Sequence, residues 1–181
     1  MPTHAAFLRG INLGRRRRVS GADLRSLFEE LGFRDVDSFR TSGNVVYGAD
    51  RESLTKMSGR IEDGLAESLG YEVVIFLRKA SEVRAIAEHE PFARALVEAS
   101  KGKLQVMLLR DKPAAARRRD VLALATDEDR LALEDRELYW LPSGGTRDSA
   151  LDLTGVEQLI GPTTMRTKGT LEQLAAKYFA R

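Results

Sequence analysis

A chain of 181 residues with 43% apolar content can form one large domain or two small ones, and burying roughly 70% of its unfolded surface is ordinary at that size. Without cysteine it has no disulfide, thiolate nucleophile or Cys-ligated zinc, and no run approaches the ~18 apolar residues of a membrane span. Net charge is +2, yet Arg15 to Arg18 alone carry four positive charges, so basicity is concentrated in one stretch and a broad double-stranded nucleic-acid face is not expected.

Thr3 to Arg9 reads as a short apolar strand. Arg9-Gly10-Ile11-Asn12-Leu13-Gly14 and Arg15, Arg16, Arg17 and Arg18 then read as a strand-to-helix loop. Its glycines permit positive φ and let backbone N–H groups converge. Ser20 caps the following helix, with Asp23 in the capping-box position and Leu24, Leu27, Phe28 and Leu31 on one stripe, closed by Gly32. Val36 to Thr41 and Val45 to Gly48 are two strands joined by the tight turn Ser42-Gly43-Asn44. Asp50 or Ser53 caps a second helix carrying Leu54, Met57, Ile61, Leu65 and Leu69, and Glu72 to Arg78 is a fourth, interior strand.

That order, β-α-β-β-α-β, is the split arrangement of ferredoxin-like folds and gives an antiparallel sheet under two helices. The remainder predicts a helix from Ser81 broken at Pro91-Phe92, a strand Lys103 to Leu109 and a helix opened by Pro113 at its N1 position. Two short strands follow, Leu131 to Leu133 and Leu138 to Leu141. Helices over Leu153 to Ile160 and from Leu171 to Phe179 close the chain. A β-α-β-β-α core with a leading helix suggests a second ferredoxin-like (α/β plait) unit, giving an α+β protein divided at 1–80 and 81–181. No residue-level repeat is visible, so a duplication would be topological.

The run Leu8 to Gly14, then Val19, Leu24-Arg25, Leu31-Gly32-Phe33 and Ser42-Gly43-Asn44-Val45-Val46 closely resembles the bacterial family called domain of unknown function 1697. The resemblance covers nearly the whole chain and implies two linked α/β plaits, with no assigned biochemical activity. Two places depart from the family pattern. Its loop usually has a second Gly and mixed Lys and Asn where Arg15 to Arg18 stand, and its C-terminal Thr-x-Arg-Asn-Trp-Asn-Thr-Val appears here as Thr164-Met165-Arg166-Thr167-Lys168-Gly169-Thr170-Leu171. If that segment completes the family's ligand site, the stacking Trp is missing from this chain.

The candidate ligand-binding residues are therefore Arg9, Gly10, Asn12, Gly14, Arg15 to Arg18, Ser42, Asn44, Thr164 and Arg166. A helix N-terminus beside a glycine loop with arginines suits a phosphate. The plain alternatives are a solvated charge run for Arg15 to Arg18 and a salt bridge for Arg9. For Asn12 and Asn44 they are turn hydrogen bonds, and for Arg166 an exposed position near the last helix. His4 and His89 have no i, i+4 partner, so no metal site is expected. Asp127-Glu128-Asp129 reads as a turn and Trp140 as core.

Together these features predict a cytoplasmic binding module for a phosphorylated small molecule or a nucleic-acid end, needing no cofactor and no membrane. An acylphosphatase-like hydrolase using an arginine and Asn44, a weak single-strand RNA binder, or self-association through the loop are the alternatives, and no catalytic residue is assigned.

Overall fold

The computed structural model describes residues 1–11, 18–40 and 43–180. Among them the chain forms eight strands and seven helices, arranged as two four-stranded antiparallel sheets with helices: an α+β protein. It divides into two compact units, residues 1–85 with 174–181, and residues 86–173. Among the described residues no helix is long and apolar enough to cross a membrane.

In the first unit the order is β1 (His4–Arg9), α1 (Gly21–Glu30), β2 (Arg34–Ser38), β3 (Asn44–Gly48), α2 (Leu54–Leu69) and β4 (Val74–Lys79). The sheet runs β2-β3-β1-β4. Alternate strand residues Ala6, Leu8, Val45, Tyr47, Ile75 and Leu77 share one core with Leu24 and Phe28 of α1 and Met57, Ile61 and Leu65 of α2. A strand's period of two and a helix's period of 3.6 thus meet on one layer. Fully burying each of the three α2 side chains contributes about 1.5–3 kcal/mol. Ser53 caps α2 through the Lys56 N–H, and Gly70 ends it in the left-handed region at φ +75°. Asp35 sits at φ +50° in a register shift of β2, where its carboxylate meets the N-terminal ammonium at 2.7 Å. A bulge there bends the edge strand.

The chain continues with α3 (Ala80–Glu88) and α4 (Arg94–Ala99). Next come β5 (Gln105–Leu109), α5 (Ala115–Leu122), β6 (Asp129–Glu134), β7 (Glu137–Pro142), α6 (Leu153–Ile160), β8 (Thr163–Thr167) and α7 (Lys168–Tyr178). The second sheet is ordered β6-β7-β5-β8. Its core gathers Met107, Leu109, Leu133, Leu138 and Trp140 from the strands with Val121 of α5 and Val156 of α6.

Two sequence expectations change here. Residues 163–167, given no element by the sequence reading, form β8 and complete the second sheet along β5. Three threonines give that segment strand character without an apolar alternation. Pro113 also lies ahead of the cap rather than at the first helical position, since Ala114 is the N-cap of α5.

The two sheets share one register. Ala5 of β1 faces Val46 of β3 and Arg78 of β4, and Val106 of β5 faces Tyr139 of β7 and Arg166 of β8. Arg78 and Arg166 therefore hold equivalent positions, and both are buried.

Candidate functional site

The candidate loop leaves the carboxyl end of β1. Arg9 is exposed and pairs in register with Val74, and Gly10 follows at φ +86°. A Cβ on Gly10 would meet nothing within 4 Å, so the requirement there is the left-handed backbone and not space. Ile11 packs against the first core. Asn12, Gly14, Arg15, Arg16 and Arg17 lie outside the described residues, as does Ser42. Description resumes at Arg18, which is exposed, and Val19, which packs on the core.

The start of α1 is answered from within. Ser20 Oγ accepts from the Asp23 N–H at 3.0 Å, while the Ser20 N–H and hydroxyl donate to Asp23 Oδ2 at 2.8 and 2.7 Å. Those bonds, the Ser20 hydroxyl first, hold the Asp23 carboxyl below its ordinary value. A carboxylate thus already occupies the positive end of the helix.

The hairpin turn lies against the root of the loop. The Leu8 N–H donates to the Gly43 carbonyl at 2.8 Å, and a Cβ on Gly43 would stand 2.9 Å from Ile11 Cδ1 and 3.1 Å from Leu8 Cβ. Gly43 itself is at φ +70°. Asn44 is 1% exposed; its amide donates to the Phe39 carbonyl at 3.0 Å, and the Phe39 N–H donates to the Asn44 carbonyl at 2.8 Å. The asparagine therefore serves the turn. Arg40, in the left-handed region at φ +60°, sets its guanidinium 5.4 Å from the Phe39 ring centre. Arg9, Gly10 and Asn44 are thus gathered at one end of the first sheet.

Thr164 and Arg166 belong to β8 in the second unit. Both are buried, and Arg166 Nη1 donates to Thr164 Oγ1 and to the Met165 carbonyl, each at 2.8 Å. Burial pulls the guanidinium down to about 10. An exposed Arg166 was one sequence alternative; the sheet buries it instead.

Other groups were not visible to sequence reasoning. Arg60 lies 4.3 Å over the Phe33 ring and pairs with Glu52 at 2.8 Å, beside a recess of about 290 Å³ that also admits Arg51 and Lys56. Tyr178 donates to Asp37 Oδ2 at 2.5 Å across 141 positions of sequence. Asp129 opens β6, where the sequence suggested a turn, and accepts at Oδ1 from Trp140 Nε1 at 2.8 Å and Ser149 Oγ at 2.6 Å. Trp140 is wholly buried, as core. His4 stacks on Tyr47 and His89 tilts against Tyr139, and burial lowers the His4 imidazole from its usual range. Among the described residues no group of three His, Cys, Asp or Glu side chains is placed to hold a metal ion.

The family described as "Protein of unknown function (DUF1697)" matches residues 1–139. Among solved structures, the conserved bacterial protein SP0830 from Streptococcus pneumoniae is similar over 97% of each chain, with a TM-score of 0.73 and 18% identity. That likeness carries the fold alone. No curated protein matches.

Proposed function

This chain belongs to the DUF1697 family, and we propose that it is a binding module: a cytoplasmic protein that holds a phosphorylated small molecule or a nucleic-acid end in the Arg9–Arg18 loop. In the same reading both units are ferredoxin-like plaits, with the domains at 1–80 and 81–181. The observation that carries the proposal is the left-handed Gly10, at φ +86°, between an exposed Arg9 and a run of four further arginines. A left-handed glycine turns successive N–H groups toward one side, and guanidinium groups supply bidentate donors for phosphate oxygens. Because Asp23 already serves the α1 N-terminus, the affinity rests on these arginines and falls steeply with salt.

The acylphosphatase-like alternative receives less support. Asn44, its proposed catalytic amide, is buried and donates to the Phe39 carbonyl. Single-strand RNA binding through the sheet face has no accessible aromatic to stack a base on, since Tyr47 is wholly buried in the first core and the paired Phe7 and Phe76 are buried as well.

The test is calorimetric titration with inorganic phosphate, nucleotides and short RNAs at low salt, on the native chain and on one with Arg15 to Arg18 replaced by Ser. The expected result is saturable binding to a phosphorylated ligand that the replacement removes. Binding that survives it unchanged, or no binding at low salt, ends the proposal. Release of phosphate from an acyl phosphate, lost on Asn44→Ala, would favour the hydrolase instead.

A further inference from the structure

Four strands form the edges of the two sheets, β2 and β4 in the first and β6 and β8 in the second. An edge strand turns alternate backbone N–H and C=O groups away from its sheet, where another strand can pair with them. Three of these edges are answered by the chain's own side chains. On β4 the Ile75 N–H donates to Glu62 Oε1 at 3.0 Å, and Arg78 Nη1 donates to the Leu77 carbonyl at 2.9 Å. Equivalent register positions of β8 repeat the device. There the Thr163 N–H donates to Glu157 Oε1 at 3.1 Å, and Arg166 Nη1 to the Met165 carbonyl at 2.8 Å. β2 carries its register shift, and its Ser38 N–H donates to Asp37 Oδ1 at 2.8 Å.

Among the described residues β6 has no such cover between Arg130 and Glu134. The Ser143 N–H donates to the Glu128 carbonyl at 2.7 Å, which fixes the hydrogen-bonded rungs of the β6–β7 ladder as Arg130–Leu141, Ala132–Tyr139 and Glu134–Glu137. Leu131 and Leu133 therefore direct their N–H and C=O groups outward, and no described group bonds to them. Arg130 and Glu134 are exposed, and neither side chain has an ion-pair partner among the described residues.

The sequence of this edge names its occupant. Arg130-Leu131-Ala132-Leu133-Glu134 is complementary to itself read backwards. Laid antiparallel on a second copy about Ala132, Leu131 of each chain meets Leu133 of the other, and these are the residues whose backbone groups point outward. Arg130 of each chain then stands opposite Glu134 of the other, and opposite charges on facing rungs are favourable. Each Glu134 already faces Glu137 across its own hairpin, a like-charge rung that an incoming arginine relieves.

We propose that β6 is a self-association edge: two copies of this chain join β6 to β6, antiparallel about a two-fold axis at Ala132, so that their second sheets become continuous. The interface uses the second unit alone and none of the Arg9–Arg18 loop.

Sedimentation equilibrium of the full chain over a broad concentration series is the test, with hydrogen exchange at the Leu131 and Leu133 amides as the second readout. A monomer–dimer equilibrium is expected, with protection of those two amides rising as the dimer fills. Arg130→Glu should weaken dimerisation about tenfold, because two opposite-charge rungs become like-charge ones. Adding Glu134→Arg to it should restore the native association. Both positions are exposed, so circular dichroism should show the native fold in each variant. A chain that stays monomeric at every concentration, or a dimer that Arg130→Glu leaves unchanged or whose Leu131 and Leu133 amides gain no protection, overturns the proposal.

Discussion

Replacing Tyr178 by Phe should release the last turn of α7 from the first sheet. The hydroxyl donates to Asp37 Oδ2 at 2.5 Å, Lys177 Nζ stands 3.8 Å from the same oxygen, and the Tyr178 ring meets Phe39 edge-on at 6.0 Å. The ring contact survives the substitution, so the loss is confined to the hydroxyl's bonds to the charged groups of Asp37 and Lys177. Such bonds contribute about 1.5–3 kcal/mol when well shielded. Because the Asp37 side chain is 38% exposed, the lower end applies, and ~1 kcal/mol is expected after screening. For a chain of this length that corresponds to a fall in Tm of about 2–4 °C.

The same bond has a pH signature. Burial works to raise the Asp37 carboxyl, yet the Tyr178 hydroxyl, the Ser38 N–H, Lys177 and Arg25 together hold it below its ordinary value. A carboxyl lowered in the folded state adds stability above its unfolded pKa of ~3.9 and loses it as pH falls through the lowered value. Urea unfolding followed by circular dichroism, on the native chain, Tyr178→Phe, Asp37→Asn and the double variant, measures the coupling. The coupling should be ~1 kcal/mol at neutral pH and shrink as the carboxyl protonates in acid. A Tyr178→Phe variant as stable as the native chain, or one whose deficit is identical at both pH values, refutes the reasoning.

Two further outcomes follow from the geometry. Gly43→Ala places a Cβ 2.9 Å from Ile11 Cδ1 at a backbone of φ +70°, so it should cost about 1–3 kcal/mol by thermal unfolding; stability equal to the native chain contradicts the described turn. Arg166→Met removes a buried guanidinium whose pKa burial pulls down to about 10, a group that prefers its charge in the unfolded chain near neutrality. Its Tm should therefore stay level or rise, and a marked fall would show that the hydrogen bonds to Thr164 and Met165 outweigh the desolvation.

Local signals carried most of the fold. The Ser20-to-Asp23 spacing named a capping box that is present, and the Leu153-to-Ile160 helix keeps those bounds. Val45 to Gly48 read as a strand, and Asn44–Gly48 forms β3, buried throughout. Strand β8 escaped because Thr163, Thr164 and Thr167 offer branched side chains with little apolar pattern. Tertiary pairs were out of reach: nothing local links Tyr178 to Asp37, or Asp129 to Ser149. At the candidate site, Asn44's turn bond agrees with the plainer of its two readings. Asn12 to Arg17 lie outside the described residues.

A polypeptide that carries one strand register twice faces a sorting problem during folding. Each centre strand, β1 or β5, meets two sets of neighbours with matching hydrogen-bond spacing, and backbone geometry alone does not tell them apart. Discrimination falls to the unlike side chains at matching rungs, Phe76 against Thr164, Tyr47 against Trp140 and Asn44 against Glu137. Making those rungs alike would leave both halves intact as designs while erasing the labels that send each strand home, with swapped or tangled products as the measurable result.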